Sequence, residues 1–110
     1  MIKGVDLDGV DARVLKMLRF MAEHVTFDLF VTSAFRSVEH EKSKGRDGTS
    51  SHCKGLAVDI AVKDSFERAC LLFQAFNIGF PRIGVGPNFL HLDIDVNKAH
   101  PIVWTYYEKK

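Results

Sequence analysis

Two histidines and one aspartate are the residues of this chain best suited to chemistry. His52 lies in the polar, glycine-containing segment 50–60, and Asp59 follows it by seven residues in an apolar run. His91 lies in a second run, residues 89–95, in which apolar and polar residues alternate. A catalytic zinc ion takes three protein ligands, nitrogen or carboxylate oxygen, and leaves a fourth position for water. The residue types therefore predict one metal site, held by a loop and two strands.

The two runs have the alternation typical of strands with one buried face and one open face. In the first run, alternation places Asp59 on the open face between the small residues Ala57 and Ala61. These neighbours leave room beside the carboxylate for an ion and a ligand. In the second run, His91 and Asp93 share the open face. Asp59 and His91 are therefore predicted to lie on two strands, each with one polar face and one apolar face.

These residues resemble the zinc D-alanyl-D-alanine carboxypeptidase family, whose pattern is Ser-x-His-x-x-Gly-x-Ala-x-Asp followed by a distal His. The chain meets each element of that pattern with Ser50, His52, Gly55, Ala57, Asp59 and His91. The resemblance covers most of the chain and looks closest to the small peptidase branch common in phage genomes. Relatives of the family include phage L-alanyl-D-glutamate endopeptidases and the hedgehog signalling domain.

The resemblance implies a zinc peptidase of the hedgehog/D-Ala-D-Ala peptidase-like fold. His52, Asp59 and His91 would hold the zinc ion, Arg36 would contact the substrate and its developing negative charge, and Ser50 would touch the substrate's carboxylate. The implied reaction is hydrolysis of an amide bond in peptidoglycan stem peptides, by a carboxypeptidase or an endopeptidase of the endolysin kind. The alternative is a catalytically impaired zinc-binding domain that recognises the cell wall or a protein partner.

The chain departs from the family at the position of the catalytic base. Many members carry an acidic residue three positions before the distal histidine, where this chain has Asn88. An amide does not take a proton from water, so the base must lie elsewhere. Asp93 shares a strand face with His91 and is either that base or a residue that accepts a hydrogen bond from the ligand histidine.

Composition limits the function classes. The 110 residues predict one domain, residues 1–110, and 46% hydrophobic residues with nine Phe are enough for a core. Fifteen basic against fourteen acidic residues argue against a nucleic-acid-binding protein. No apolar run reaches the ~20 residues of a membrane span, and no signal peptide is recognised, so synthesis in the cytoplasm is predicted. Delivery to the wall by a phage, or association with a virion, is compatible with that prediction; the oligomeric state stays open.

Helices are predicted at residues 11–24 and after Asp64. The first has apolar residues at three-and-four spacing behind a capping Asp11, and the second has a capping box of Asp64 with Glu67 and ends near Gly79. The second helix also carries an apolar stripe that is interpreted as core: Phe66, Cys70, Phe73 and Phe76. With only two cysteines in the chain, Cys53 and Cys70 are interpreted as free thiols.

Strands are predicted at residues 27–34, 82–86 and 101–106 in addition to the two runs around the site. The polar segment 37–51 is predicted to be a loop that forms a functional lip or a mobile segment. The expected fold class is α+β, a small antiparallel sheet with helices against one face.

Overall fold

The computed structural model describes residues 1–46 and 48–106. Within these ranges the chain forms three α-helices, one 3₁₀ helix and six strands. Their order along the chain is β1 Ile2–Gly4, α1 Ala12–Glu23, β2 Leu29–Ser33, α2 Val38–Ser43, the 3₁₀ helix Ser51–Lys54, β3 Ala57–Ala61, α3 Ser65–Ile78, β4 Arg82–Val85, β5 Phe89–Asp93 and β6 Ile102–Thr105.

The strands form one sheet in the order β1-β2-β3-β5-β4-β6. The three central pairs are antiparallel, whereas β1 pairs parallel with β2 and β6 pairs parallel with β4. The α+β class is confirmed, and the antiparallel pairing predicted for the last strand is wrong. Because β5 already has β3 on one side and β4 on the other, the chain after β5 adds at the edge beside β4. It reverses direction relative to β5 and therefore runs parallel to β4.

One face of the sheet carries the hydrophobic core. Helices α1 and α3 pack on this face, and alternate strand residues point into it, as the period of two predicts. Fully buried members include Leu18 of α1, Leu71 of α3 and, from the central strands, Val58, Ile60 and Leu90. The opposite face is left to the polar residues of β3 and β5. No helix in the described part of the chain is long and apolar enough to cross a membrane.

Both predicted long helices begin where their caps were expected. The Asp11 side chain accepts a hydrogen bond from the backbone N of Arg13 at 2.8 Å, and the Asp64 side chain accepts one from that of Glu67 at 2.9 Å. Helix α3 ends at Gly79, whose φ of 94° is left-handed and favours glycine. Local sequence signals therefore determine these helix ends.

The predicted burial of the aromatic stripe on α3 is wrong. Phe66, Phe73 and Phe76 are 64%, 72% and 57% exposed, whereas Leu71 and Ala75 on the other side of the helix are fully buried. Helix α3 is apolar on two sides, so periodicity did not distinguish them. The side with Leu71 and Ala75 belongs to the hydrophobic core, where α3 packs against α1.

The prediction of a loop at residues 37–51 is wrong for Val38–Ser43, which form a helix. Ser37 accepts a hydrogen bond from the backbone N of His40 at 3.0 Å and so caps the short helix α2. Its residue Glu41 is fully buried. A polar composition concealed this helix because the one side chain that it buries fully, Glu41, is charged and pairs with Arg36 and Arg46. Position 47 of the predicted loop lies outside the described residues.

Candidate metal centre

The register of β3 and β5 places two of the predicted ligands side by side. Asp59 is directly opposite His91 in the antiparallel ladder, and both point away from the core. Nδ1 of His91 lies 3.0 Å from Oδ1 of Asp59. One carboxylate oxygen and one imidazole nitrogen therefore meet on the open face of the sheet.

The third ligand, His52, comes from the 3₁₀ helix. The Ser50 hydroxyl caps this helix by accepting a hydrogen bond from the backbone N of His52. Nδ1 of His52 lies 2.9 Å from the carbonyl oxygen of Ala34, which can only accept, so Nδ1 carries the ring proton. Nε2 is left with its lone pair and lies 3.4 Å from Oδ1 of Asp59.

Position 55 of the sequence motif requires glycine for steric reasons. It ends the 3₁₀ helix with a left-handed φ of 72°, and a Cβ there would lie 2.2 Å from the carbonyl oxygen of Gly9. The carbonyl oxygen of Gly55 also accepts a hydrogen bond from the backbone N of Asp11 at 2.8 Å. The loop that carries His52 is thereby fastened to the start of α1.

The donor set suits a divalent metal ion. Nε2 of His91 lies 2.6 Å from Oδ2 of Asp93, a carboxylate acceptor, so Nε2 holds the proton and Nδ1 is free to bind a metal. The ligand atoms of His52, Asp59 and His91 all lie within 4.8 Å of one another. Two imidazole nitrogens and one carboxylate oxygen form a set that zinc accepts in catalytic sites, with room for a fourth ligand.

Electrostatics in the group favour an ionised Asp59. Burial by itself would raise the pKa of Asp59, but in the metal-free protein the imidazoles of His52 and His91, when protonated on the nitrogens that face it, outweigh burial and lower the pKa from 3.8 to about 2. Burial likewise tends to lower the pKa of His91, but Asp59 and Asp93 outweigh it and the pKa is raised above 6.5. The carboxylate is therefore in the charged form that a metal requires.

Asp93 is placed behind His91 and away from the cavity. Its side chain is fully buried, and Oδ1 accepts a hydrogen bond from the backbone N of Asp95 at 3.0 Å. Nε of Arg82 lies 2.8 Å from the same oxygen. Both oxygens of Asp93 are thus engaged, which favours the orienting alternative over the base. Arg82 was not found from the sequence, since an arginine at a strand start is ordinarily a surface cation.

The three ligands open onto a cavity of about 330 Å³. Its lining includes every predicted metal ligand and both predicted substrate contacts. The lining residues are Arg36, Glu41, Arg46, Ser50, His52, Asp59, Phe89, His91 and Tyr106. Asn88 is exposed and does not belong to this lining.

An ion-pair cluster around the buried Glu41 forms one wall of this cavity. Oε2 of Glu41 lies 2.9 Å from Nε of Arg36 and 3.0 Å from an Nη of Arg46. Arg36 also donates from Nη1 to the Ser33 hydroxyl at 2.7 Å. Sequence reasoning found Arg36 but missed Glu41 and Arg46, because a charged residue in a polar segment usually faces solvent. It also missed Tyr106, which the sequence placed only at the end of the last predicted strand.

Comparison with known protein families supports the assignment of these residues to a metal site. The chain matches the sequence model of the Peptidase M15 family over residues 2–93, which include all three metal-ligand positions. The chain belongs to this family. M15 peptidases are zinc-dependent, and His52, Asp59 and His91 form a group that fits that metal. The resemblance predicted from the motif is confirmed at the level of the family, and the phage-type branch stays a prediction. Among curated proteins, none matched the chain.

Proposed function

We propose that the chain is a zinc peptidase that hydrolyses an amide bond in the stem peptides of bacterial peptidoglycan. The observation that carries this proposal is the shared cavity, whose lining includes the three candidate metal ligands and Arg36. A purely structural zinc site is normally closed by a fourth protein ligand, whereas this group of three adjoins open space.

His52, Asp59 and His91 would hold the zinc ion. When bound, zinc supplies a Lewis acid that lowers the pKa of water and polarises a carbonyl group. The protein's part is to present the donor atoms in one orientation. The Ala34 carbonyl oxygen and the Asp93 carboxylate do this by occupying the other ring nitrogen of each histidine.

Arg36 and Tyr106 would act on the substrate from the cavity wall. Glu41 and Ser33 hold the guanidinium of Arg36 in place, so it can stabilise negative charge that develops on the carbonyl oxygen. The Tyr106 hydroxyl is protonated at neutral pH, since its ordinary pKa is 10.0 and burial raises it further, so it can donate a hydrogen bond. Ser50, at the same cavity, would contact a carboxylate of the substrate.

The size of the cavity suits part of a short peptide. About 330 Å³ lies near the lower end of the volumes that hold small ligands. Either a carboxypeptidase that removes a terminal D-alanine or an endopeptidase that cuts within the stem fits this space. We propose a wall-lytic role of the phage endolysin kind, in which the protein is made in the cytoplasm and reaches the wall during lysis or as part of a virion.

The second candidate is a zinc-binding domain that recognises the wall or a protein without cleaving it. One observation favours it. Among the described residues that line the cavity, the carboxylates are Asp59, which would bind the metal, and Glu41, which is paired with two arginines. Neither is free to act as a general base.

A cleavage assay separates the two candidates. Zinc-loaded protein is incubated with stem peptides that end in D-Ala-D-Ala and with shortened stem peptides, and product masses name the bond. Peptidase function predicts product from wild type and from His100→Ala, and none from His52→Ala. His100 is exposed and its Nδ1 contacts only the backbone of its own loop, so it serves as the matched control. Binding of a stem peptide without any product would favour the second candidate.

A further inference from the structure

A fully buried carboxylate stands directly behind the metal ligand His91. Asp93 has no solvent exposure, and its Oδ2 lies 2.6 Å from Nε2 of His91. A buried carboxylate is costly unless it has a counter-charge and hydrogen bonds. In the described structure, Arg82 supplies the cation and the backbone N of Asp95 supplies a hydrogen bond.

Arg82 reaches Asp93 because the two residues are opposite each other in the β4–β5 ladder. Nε of Arg82 lies 2.8 Å from Oδ1 of Asp93, off the line of a directed hydrogen bond, so the contact is an ion pair. The same guanidinium donates from Nη1 to the carbonyl oxygen of Ala99 at 2.6 Å and lies 4.9 Å from the ring centre of Trp104. Three contacts thus hold the arginine in place.

Strand β6 comes close to His91 two residues further along the ladder from the Arg82–Asp93 pair. His91, Gly84 and Trp104 are in register across β5, β4 and β6, and the rings of His91 and Trp104 lie 5.4 Å apart. A side chain at Gly84 would occupy that space, since a Cβ would lie 2.7 Å from the Trp104 ring. Trp104 therefore packs against both the ligand histidine and the arginine behind it.

We propose that Arg82 is a positioning residue of the metal centre, which acts through Asp93 on His91. Its contacts with Asp93, Ala99 and Trp104 fix the carboxylate, and the carboxylate fixes the ring of His91 with Nδ1 toward Asp59. This inference rests on the metal centre of the proposed function and adds a residue that does not line the cavity. Mutation of residues that orient a metal ligand without binding the metal typically lowers metal affinity by roughly ten- to a hundredfold.

The first test measures zinc affinity by competition with a chromophoric chelator. Arg82→Met keeps the aliphatic stem against Trp104 and removes the charge, so it should bind zinc roughly tenfold or more weakly than wild type. Arg68→Met is the matched control, because Arg68 donates to the carbonyl oxygen of Pro87 at 2.6 Å and contacts no carboxylate of the centre. It should keep wild-type affinity. A folded Arg82→Met with wild-type zinc affinity would overturn the proposal.

The second test asks whether Arg82 acts through Asp93. Asp93→Asn should weaken zinc binding, and adding Arg82→Met to it should weaken binding no further, because the path is already broken. Additive losses would show that Arg82 does not act through Asp93 and would overturn the proposal. The d–d absorption of cobalt-substituted protein should change in Arg82→Met and stay as in wild type in Arg68→Met, since it reports the geometry of the ligands.

If Arg82→Met does not fold, the zinc affinity of Arg82→Lys is measured instead. An ammonium keeps the charge but does not reproduce the planar fork, so its zinc affinity should lie below that of wild type. Wild-type affinity in the lysine variant would overturn the proposal. These measurements need no peptide cleavage: failure of the stem-peptide assay alone would refute the proposed peptidase function and leave the role of Arg82 standing.

Discussion

At the scale of single residues, the metal centre is organised by what each histidine does with its second nitrogen. The Nδ1 of His52 is held by the carbonyl oxygen of Ala34, and the Nε2 of His91 is held by Asp93. Each ring therefore turns one defined nitrogen toward the Asp59 carboxylate, where a metal ion would be bound. Because both rings are largely buried, their orientation is set before any ion arrives. Such preorganisation favours binding, since little side-chain freedom is lost.

Removal of any one ligand should abolish tight zinc binding. We expect His52→Ala, Asp59→Ala and His91→Ala each to lose most of their zinc on dialysis, because two donor atoms do not complete the site. Zinc content per chain is measured by elemental analysis, with His100→Ala as the control that keeps its metal. One zinc per chain retained by His91→Ala would refute the assignment of that ligand.

Arg36 should affect turnover and leave zinc binding unchanged. Its guanidinium contacts Glu41 and Ser33 simultaneously, which an ammonium on a lysine stem does not reproduce. Arg36→Lys is expected to reduce kcat on stem peptides by something like a hundredfold, the usual scale for a donor that stabilises an oxyanion. Steady-state kinetics and zinc content are measured together, and wild-type turnover in this variant would contradict the role given to Arg36.

At the scale of elements, the sheet separates packing from chemistry. Strands β3 and β5 lie in its centre, with α1 and α3 on one face and the metal group on the other. The central strands have neighbours on both sides, so their register is strongly constrained. Residues that must stay within a few ångströms of one another benefit from that constraint.

Gly84 should be sensitive to the smallest substitution. In Gly84→Ala the new Cβ would lie 2.7 Å from the Trp104 ring, so either the ring or strand β6 must shift. Overpacking of this kind costs roughly 1–3 kcal/mol of unfolding free energy. Urea unfolding followed by far-ultraviolet circular dichroism measures it, because the chain's single tryptophan is absent from the Trp104→Leu control. In a Trp104→Leu background the same substitution should cost less, and an equal cost would disprove the clash.

The two apolar sides of α3 should respond differently to mutation. Leu71 is fully buried, so Leu71→Ala should lower the free energy of unfolding by roughly 2–5 kcal/mol. Phe73 is 72% exposed, so Phe73→Gln should change it by no more than about 0.5 kcal/mol. Chemical denaturation of both variants measures the difference. A larger loss in Phe73→Gln than in Leu71→Ala would reverse the assignment of the two sides.

At the scale of the whole molecule, Asp95 joins the metal-site loop to the end of β5. Oδ2 of this buried carboxylate accepts a hydrogen bond from the Ser51 hydroxyl at 2.8 Å and pairs with Nζ of Lys54 at 3.0 Å. Burial tends to raise the pKa of Asp95, but Lys54 and Ser51 outweigh it and the pKa is lowered. The ionised form is therefore more stable in the folded chain than in the unfolded one.

The stability of the fold should fall in acid partly through Asp95. Because its folded-state pKa is depressed, its contribution is fully present above the ordinary value of 3.8 and is lost as pH falls through the lower folded-state pKa. Asp95→Asn should lower the free energy of unfolding by about 1–3 kcal/mol at neutral pH. The difference in unfolding free energy between this variant and wild type should become smaller below pH 3.8. Asp28→Asn is the control, since Asp28 pairs with Lys3 on the surface and its loss should matter less. A gap for Asp95→Asn that does not change with pH would contradict this account.

Much of the site could be predicted from the sequence because its signals are local. The alternation around Asp59 and His91 determines which face each side chain takes, and the caps at Asp11 and Asp64 determine where the long helices begin. The histidine-glycine-aspartate spacing indicated the metal ligands, and Gly55 is needed for its own backbone conformation and close packing. These features depend on residues a few positions apart, so the sequence alone is enough to predict them.

Only the tertiary structure decided which groups face each other across the sheet and which side of a helix is buried. The buried Glu41 pairs with Arg36 and Arg46, and Asp93 contacts Arg82 because β4 and β5 are adjacent. The choice between the two sides of α3, and the parallel edge strand β6, likewise depend on neighbours distant in the chain. Burial and ion pairing are properties of the assembled surroundings of a residue, so sequence alone determined which residues are candidate metal ligands and the folded chain determined what supports them.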